Sequence, residues 1–318
     1  MRRRTALVVI ISIVMVAVAG CERKPSATAE KVVRIGSFSV AVDYGPYLVA
    51  KNKHWFEDDL KTEGIKPEYT LFQSLPPINE ALATDKVDIV FEAESPAIVG
   101  RAAGIDLRIV ALSCTLVQEI VVPKASSVQS PAGLKGKKIA VLAGTSSHYG
   151  LLKVLGRAGV RPNEVEVVDM VPPDAKNAFE TGKVDAWAVW PPWVEQEEVS
   201  GVGRVLPGGQ AVVHSVMVAR SKFAETHPDI LRKIVHTLDR ARSWIRENPA
   251  AAQQVVAQEL NIPQEVVQKA WPRHDWAATI SDAIIADTAE KAKFLLDRGS
   301  IKNPVDARAL FDTTYQRP

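Results

Sequence analysis

The sequence predicts an α/β protein made of two halves with similar grammar and a helical tail. Three observations predict it. Short apolar runs alternate with helix-spaced segments from residue 32 to residue 123. The alternation restarts at residue 137, after a surface turn at 130–136, and from Ser221 onward nearly every segment has helical spacing. Each half is expected to be a mixed, mostly parallel sheet flanked by helices.

The chain opens on a basic stretch, Arg2, Arg3 and Arg4, then an apolar run at 6–17 broken only by Ser12. Val18, Ala19 and Gly20 follow, then Cys21. This reads as a signal peptide at 1–20, too short for a stable membrane span. Its ending resembles a bacterial lipobox, which makes Cys21 the expected lipidation site. Residues 21–30 are polar, with Pro and Ser, and read as a tether. Among the remaining residues Cys114 is the one cysteine, so no internal disulfide is expected, and its apolar neighbours suit a small core residue.

In the first half, 32–36 is a strand, 37–45 a loop and 46–56 a helix with Pro46 at its start. Residues 65–72 form a strand, 75–84 a helix and 87–91 a strand. A turn at 92–95 leads to a helix at 96–103, and 107–112 and 119–123 are further strands. In the second half, 137–143 is a strand and 146–158 a helix, joined by the turn Gly144-Thr145-Ser146-Ser147. Strands at 165–170 and 184–189 flank a helix at 173–181, and Trp190-Pro191-Pro192-Trp193 ends the second of them. Later strands are 204–206 and 212–219. Helices follow at 228–247, 249–260, 263–270, 281–298 and 305–311. The chain is expected to cross between halves near 121–124 and 214–219. One lobe then comprises 31–122 with 217–318, and the other 123–216.

Ligands of α/β sheets bind at the C-terminal ends of strands, so the loops 37–45, 92–95, 144–147 and 190–193 are the candidate site. The Gly144–Ser147 turn offers unpaired backbone N–H groups at a helix start beside hydroxyls, a place for an anionic group. It lacks the Lys-Ser/Thr pair of a phosphate-binding P-loop. An ordinary helix cap is the alternative from local sequence alone.

Several stretches together resemble one family: Ser147-His148-Tyr149, Pro172-Pro173 with Ala178-Phe179, and Gly182-Lys183-Val184-Asp185-Ala186-Trp187. Ser95-Pro96 with Ala102-Ala103-Gly104, the segment 130–138 and Phe223-Ala224-Glu225-Thr226-His227-Pro228 add to them. The resemblance is to the nitrate/sulfonate/taurine-type solute-binding proteins of bacterial ABC importers, from about residue 32 to the C-terminus. It implies a two-lobed, type II-like periplasmic-binding-protein fold that closes on a small solute and delivers it to a permease with its ATPase. It also implies a monomer, held at the periplasmic or cell-surface side of a membrane by its N-terminal lipid, without enzymatic activity or cofactor. Thr145, Ser146 and His148 match the family's ligand-side segment.

Composition and motifs agree. Apolar residues make up 47%, charged residues 24%, and the net charge is +2, which gives nucleic acid no basic footprint. Hydrolase, metal-protease and nucleotide motifs are absent, and the histidines are too scattered to form one metal site.

The acids complicate a purely anionic ligand. Asp43 beside Tyr44, Glu94 beside Ser95, and Glu119 on an apolar strand would repel a sulfonate and attract an ammonium or guanidinium. Trp190 and Trp193 could add aromatic faces for a cation. The expected solute is therefore a small nitrogen-bearing compound, cationic or zwitterionic, such as a guanidinium or amine compound or an aminosulfonate like taurine. An alkanesulfonate or other oxoanion is the alternative within the family. An exported sensor domain or a thiamine-precursor-type enzyme is the alternative outside it.

Overall fold

The computed structural model describes residues 31–38 and 40–316. The expected signal peptide, tether and lipidated Cys21 lie outside the described residues.

Ten strands are described: β1 (Lys31–Phe38), β2 (Ile65–Phe72), β3 (Ile89–Ala93), β4 (Leu107–Pro123), β5 (Lys138–Val141), β6 (Glu166–Asp169), β7 (Ala186–Val189), β8 (Gly203–Val205), β9 (Ala211–Arg220) and β10 (His274–Asp275). Their order is β2-β1-β3-β9-β4-β7-β5-β6, with β8 and β10 also on β4. β1 pairs in parallel with β2 and β3, and β5 pairs in parallel with β6 and β7. The antiparallel strands are those that join the halves. β9 runs against β3 and β4, and β7 runs against β4.

β4 holds the two halves together. From Leu107 to Gln118 it pairs with β9, and from Glu119 to Pro123 it pairs with β7 and β8. The sequence suggests two strands here, 107–112 and 119–123. The structure makes one, because Cys114 and Thr115 stay in the ladder opposite Ser215 and His214 while Ser113 is accommodated at a register shift. Two register shifts, at Ile109/Ala111 and Leu112/Cys114, absorb the misfit.

The helices are α1 (Gly45–Asn52), α2 (Trp55–Leu60), α3 (Leu75–Ala83), α4 (Glu94–Ala102), α5 (Ser146–Arg157), α6 (Pro172–Glu180), α7 (Trp193–Val199), α8 (Ser221–Thr226), α9 (Pro228–Glu247), α10 (Pro249–Leu260), α11 (Gln264–Ala270), α12 (Asp282–Asp297) and α13 (Ala307–Leu310). The single helix expected at 46–56 is two, broken where His54 takes φ 56°. α9 buries Ile230, Leu231, Ile234, Val235, Leu238, Ala241 and Ile245, a continuous apolar stripe at helical spacing. That stripe packs on α1, α2 and β4, so the tail covers the first half.

The expected turn at 92–95 is absent. β3 continues through Glu92 and Ala93, whose ladder partners are Val216 and Ser215, and α4 begins at Glu94. Pro96 fits there because the first turn of a helix needs no N–H from it. Glu92, Glu94 and Ser95 are consequently buried rather than solvated.

Candidate ligand-binding cleft

The cleft begins where β5 delivers the chain to α5. Gly144 takes φ 77°, a turn that glycine makes without strain. Thr145 caps the helix. Its Oγ1 accepts from the His148 N–H at 3.4 Å and donates to the Leu142 carbonyl at 2.7 Å. The first intrahelical bond is Tyr149 N–H to Thr145 O, 3.1 Å, so the N–H groups of Ser146 and Ser147 precede the helix ladder. Both point their half of the helix dipole toward whatever faces the N-terminus.

Gln118, the last β4 residue paired with β9, fixes both serines. Its Nε2 donates to Ser146 Oγ at 2.6 Å, and Ser147 Oγ donates to its Oε1 at 3.1 Å. Gln118, Thr145, Ser146 and Ser147 are each at most 4% exposed. These buried hydroxyl and amide groups carry no net charge.

The first half supplies the opposite wall: Phe38 at the end of β1, Asp43 and Tyr44 in the short 3-10 turn before α1, and Pro96 in α4. Trp190 from the end of β7 closes the space. Its Nε1 donates to Val40 O at 3.0 Å, its ring lies 5.7 Å from Phe38, and Val42 N–H reaches Pro191 O at 3.4 Å. Together these residues enclose a cavity of about 10 Å³, room for about one water.

Asp43, Tyr44, Thr145, Ser146 and Trp190 therefore meet at one cavity. The other predicted residues do not line it. Glu94 is fully buried, ion-paired to Lys291, and accepts the His214 N–H at 2.9 Å. Glu119 is ion-paired with Arg273, whose Nε stands 2.7 Å from the Glu119 carboxylate. His148 Nδ1 takes the Gly144 N–H at 3.4 Å, and burial lowers its affinity for a proton. Trp193 packs at a tilt, 6.0 Å from Trp187, in the apolar core. Ser95 is buried beside the cleft residue Pro96, its Oγ unpartnered.

Lone carboxylates on a sequence suggest a cationic ligand, but two of the three have partners from the tail. Asp43 alone remains at the cavity wall. Burial pushes its carboxyl up to about 6, offset in part by the Ser215 hydroxyl nearby. Burial likewise raises Glu92 to about 8. Glu92 does not line the cavity, so Asp43 is the acid of the first-half wall.

Glu94, His214 and Asp287 offer ligand atoms within 4.8 Å of one another, a spacing that could hold a metal. The Lys291 ammonium already stands there, bonded to Glu94 and 2.7 Å from Asp287, and supplies the positive charge.

Sequence reasoning overlooked Gln118 and Phe38. Gln118 had a visible signal, a polar amide in an otherwise apolar strand one residue before Glu119.

A family model described as NMT1/THI5 like matches residues 41–252. A putative aliphatic sulfonates-binding protein of Bacillus subtilis (strain 168) is 32% identical over 98% of this chain and 96% of its own length. The taurine-binding periplasmic protein of Escherichia coli (strain K12) is 29% identical over 59% of this chain and 60% of its own. Among solved structures, the alkanesulfonate-binding protein SsuA from Xanthomonas axonopodis pv. citri bound to MOPS aligns with a TM-score of 0.77, covering 89% of this chain and 98% of that one at 24% identity. That likeness establishes a shared fold.

Proposed function

Because the chain belongs to the NMT1/THI5-like family, we propose that it is the solute-binding component of an ABC importer and holds a small organosulfonate between its two halves. The observation that carries this is the Gln118–Ser146–Ser147 set at the start of α5. A sulfonate spreads one charge over several oxygens. Backbone N–H groups, hydroxyls and the helix dipole match that charge without a buried counter-cation of their own. The relatives' names point to the same chemistry.

A cavity of about 10 Å³ is too small for any organosulfonate. Binding on this reading requires the lobes, 31–122 with 217–318 and 123–216, to separate about β4 and β9 and close again on the solute. The Trp190–Val40 and Val42–Pro191 bonds are among the contacts that opening breaks.

A second reading rests on Asp43. A carboxyl at the wall opposite the serines suits an aminosulfonate, whose ammonium would keep Asp43 ionised. Lipidation of Cys21 would hold the protein at the outer face of a membrane; none of the described helices is long and apolar enough to cross one.

Calorimetric titration with ethanesulfonate, taurine, ethylamine and guanidine tests these readings together. Ethanesulfonate binding supports the proposal. Taurine binding without ethanesulfonate binding selects the Asp43 reading. Binding of the cations alone refutes both.

A further inference from the structure

A second polar cavity, of about 290 Å³, lies between α9, β4 and the segment 277–280. It shares no lining residue with the ligand cleft. Arg242 forms its floor at 8% exposure. One guanidinium nitrogen of Arg242 donates to the Ala278 carbonyl and another lies 3.3 Å from Asp239. Its Nε is buried with no hydrogen-bond partner among the described residues. A buried guanidinium N–H without an acceptor is costly, and the natural acceptor is an oxygen carrying negative charge.

The surroundings fit that acceptor. Arg246 lies one turn further along the same face of α9, and its guanidinium donates to Ser243 Oγ at 3.3 Å. Its charge and that of Arg242 oppose each other, which together with burial weakens the hold of Arg242 on its proton. Ser243, Thr279 and Gln316 add hydroxyl and amide groups to the wall. Arg240 also lines the groove, but its guanidinium pairs with Asp59 at 3.1 Å and lies over the Trp55 ring. Three arginines therefore line this space against one carboxylate, Asp239, and Arg240 has its own acid outside it.

We propose that this groove is a second anion site, binding a small inorganic oxoanion such as sulfate or phosphate between Arg242 and Arg246. A tetrahedral oxoanion in the groove can accept from Arg246 and set its charge against the Arg242 guanidinium, and it relieves the repulsion between the two guanidinium groups. The site is independent of the organosulfonate reading.

Calorimetric titration of inorganic sulfate tests it, using the wild-type protein, Arg246→Gln and Gln118→Ala. Arg246 is exposed, so its substitution leaves the core intact. The expected result is millimolar or tighter sulfate binding in the wild type, weakened at least tenfold in Arg246→Gln and retained in Gln118→Ala. Equal sulfate binding in the wild type and Arg246→Gln overturns the proposal. So does loss of all sulfate binding in Gln118→Ala, or no wild-type binding up to about 10 mM.

Discussion

Replacing Lys291 with methionine should cost more stability than any surface change in this protein. Lys291 is 1% exposed and is the counter-ion of Glu94, which is fully buried. Without the ammonium, Glu94 keeps a single bond, from the His214 N–H at 2.9 Å. Asp287 is half-exposed and keeps His214 Nε2 at 2.9 Å, so the loss concentrates on Glu94. Methionine fills most of the lysine's volume, which keeps the cavity contribution small. Removing one partner of a buried pair costs about 3–5 kcal/mol. Urea unfolding followed by tryptophan fluorescence measures it as the shift in midpoint at constant slope. The double variant Glu94→Gln/Lys291→Met removes the stranded charge, and we expect it to recover at least about 2 kcal/mol of coupling. A loss below about 1 kcal/mol in Lys291→Met, with additive effects in the double variant, would refute the assignment of Glu94 to Lys291. The same variants bear on function: Glu94→Gln should leave organosulfonate affinity within about twofold, because Glu94 lies outside the cleft lining.

Further outcomes follow from other groups. Gln118→Ala releases both cleft serines and should weaken ethanesulfonate about tenfold by calorimetry, the value of one to two hydrogen bonds. Trp190→Phe removes the Nε1–Val40 bond between the halves and should favour the open form by about 1 kcal/mol, read as a larger ligand-free radius of gyration that ligand restores. Burial raises the Glu92 carboxyl from 4.5 to about 8, so the folded state holds a proton that the unfolded chain has lost. That stabilisation is complete below the unfolded value of 4.5 and disappears as pH rises through about 8. Glu92→Gln should therefore gain roughly 3–5 kcal/mol on wild type at about pH 9 and little at about pH 4, by urea unfolding at each pH.

The alternation of strands and helices was legible because apolar runs and helix-spaced leucines follow local rules. Thr145 capping α5 after Gly144 was legible for the same reason: a glycine turn, a hydroxyl and a helix lie next to one another in sequence. The fate of the acids was not. Glu94 finds Lys291 at a separation of 197 residues, and Glu119 finds Arg273 in the tail. No local pattern encodes either meeting, so acids near apolar runs read as free charges. The same holds for β4, where the run Ser113-Cys114-Thr115 looks like an interruption until β9 pairs along it. Asp43, Tyr44 and Trp190 come together at one cavity because strand ends converge in α/β sheets whatever the side chains.

The central claim is that the first-turn N–H groups of α5 hold a sulfonate. Amide proton shifts of Ser146 and Ser147, followed by nuclear magnetic resonance during titration with ethanesulfonate, test it most directly. The account predicts saturable downfield shifts at both amides, reduced in Gln118→Ala. Saturable binding that leaves these two amides unmoved would contradict it.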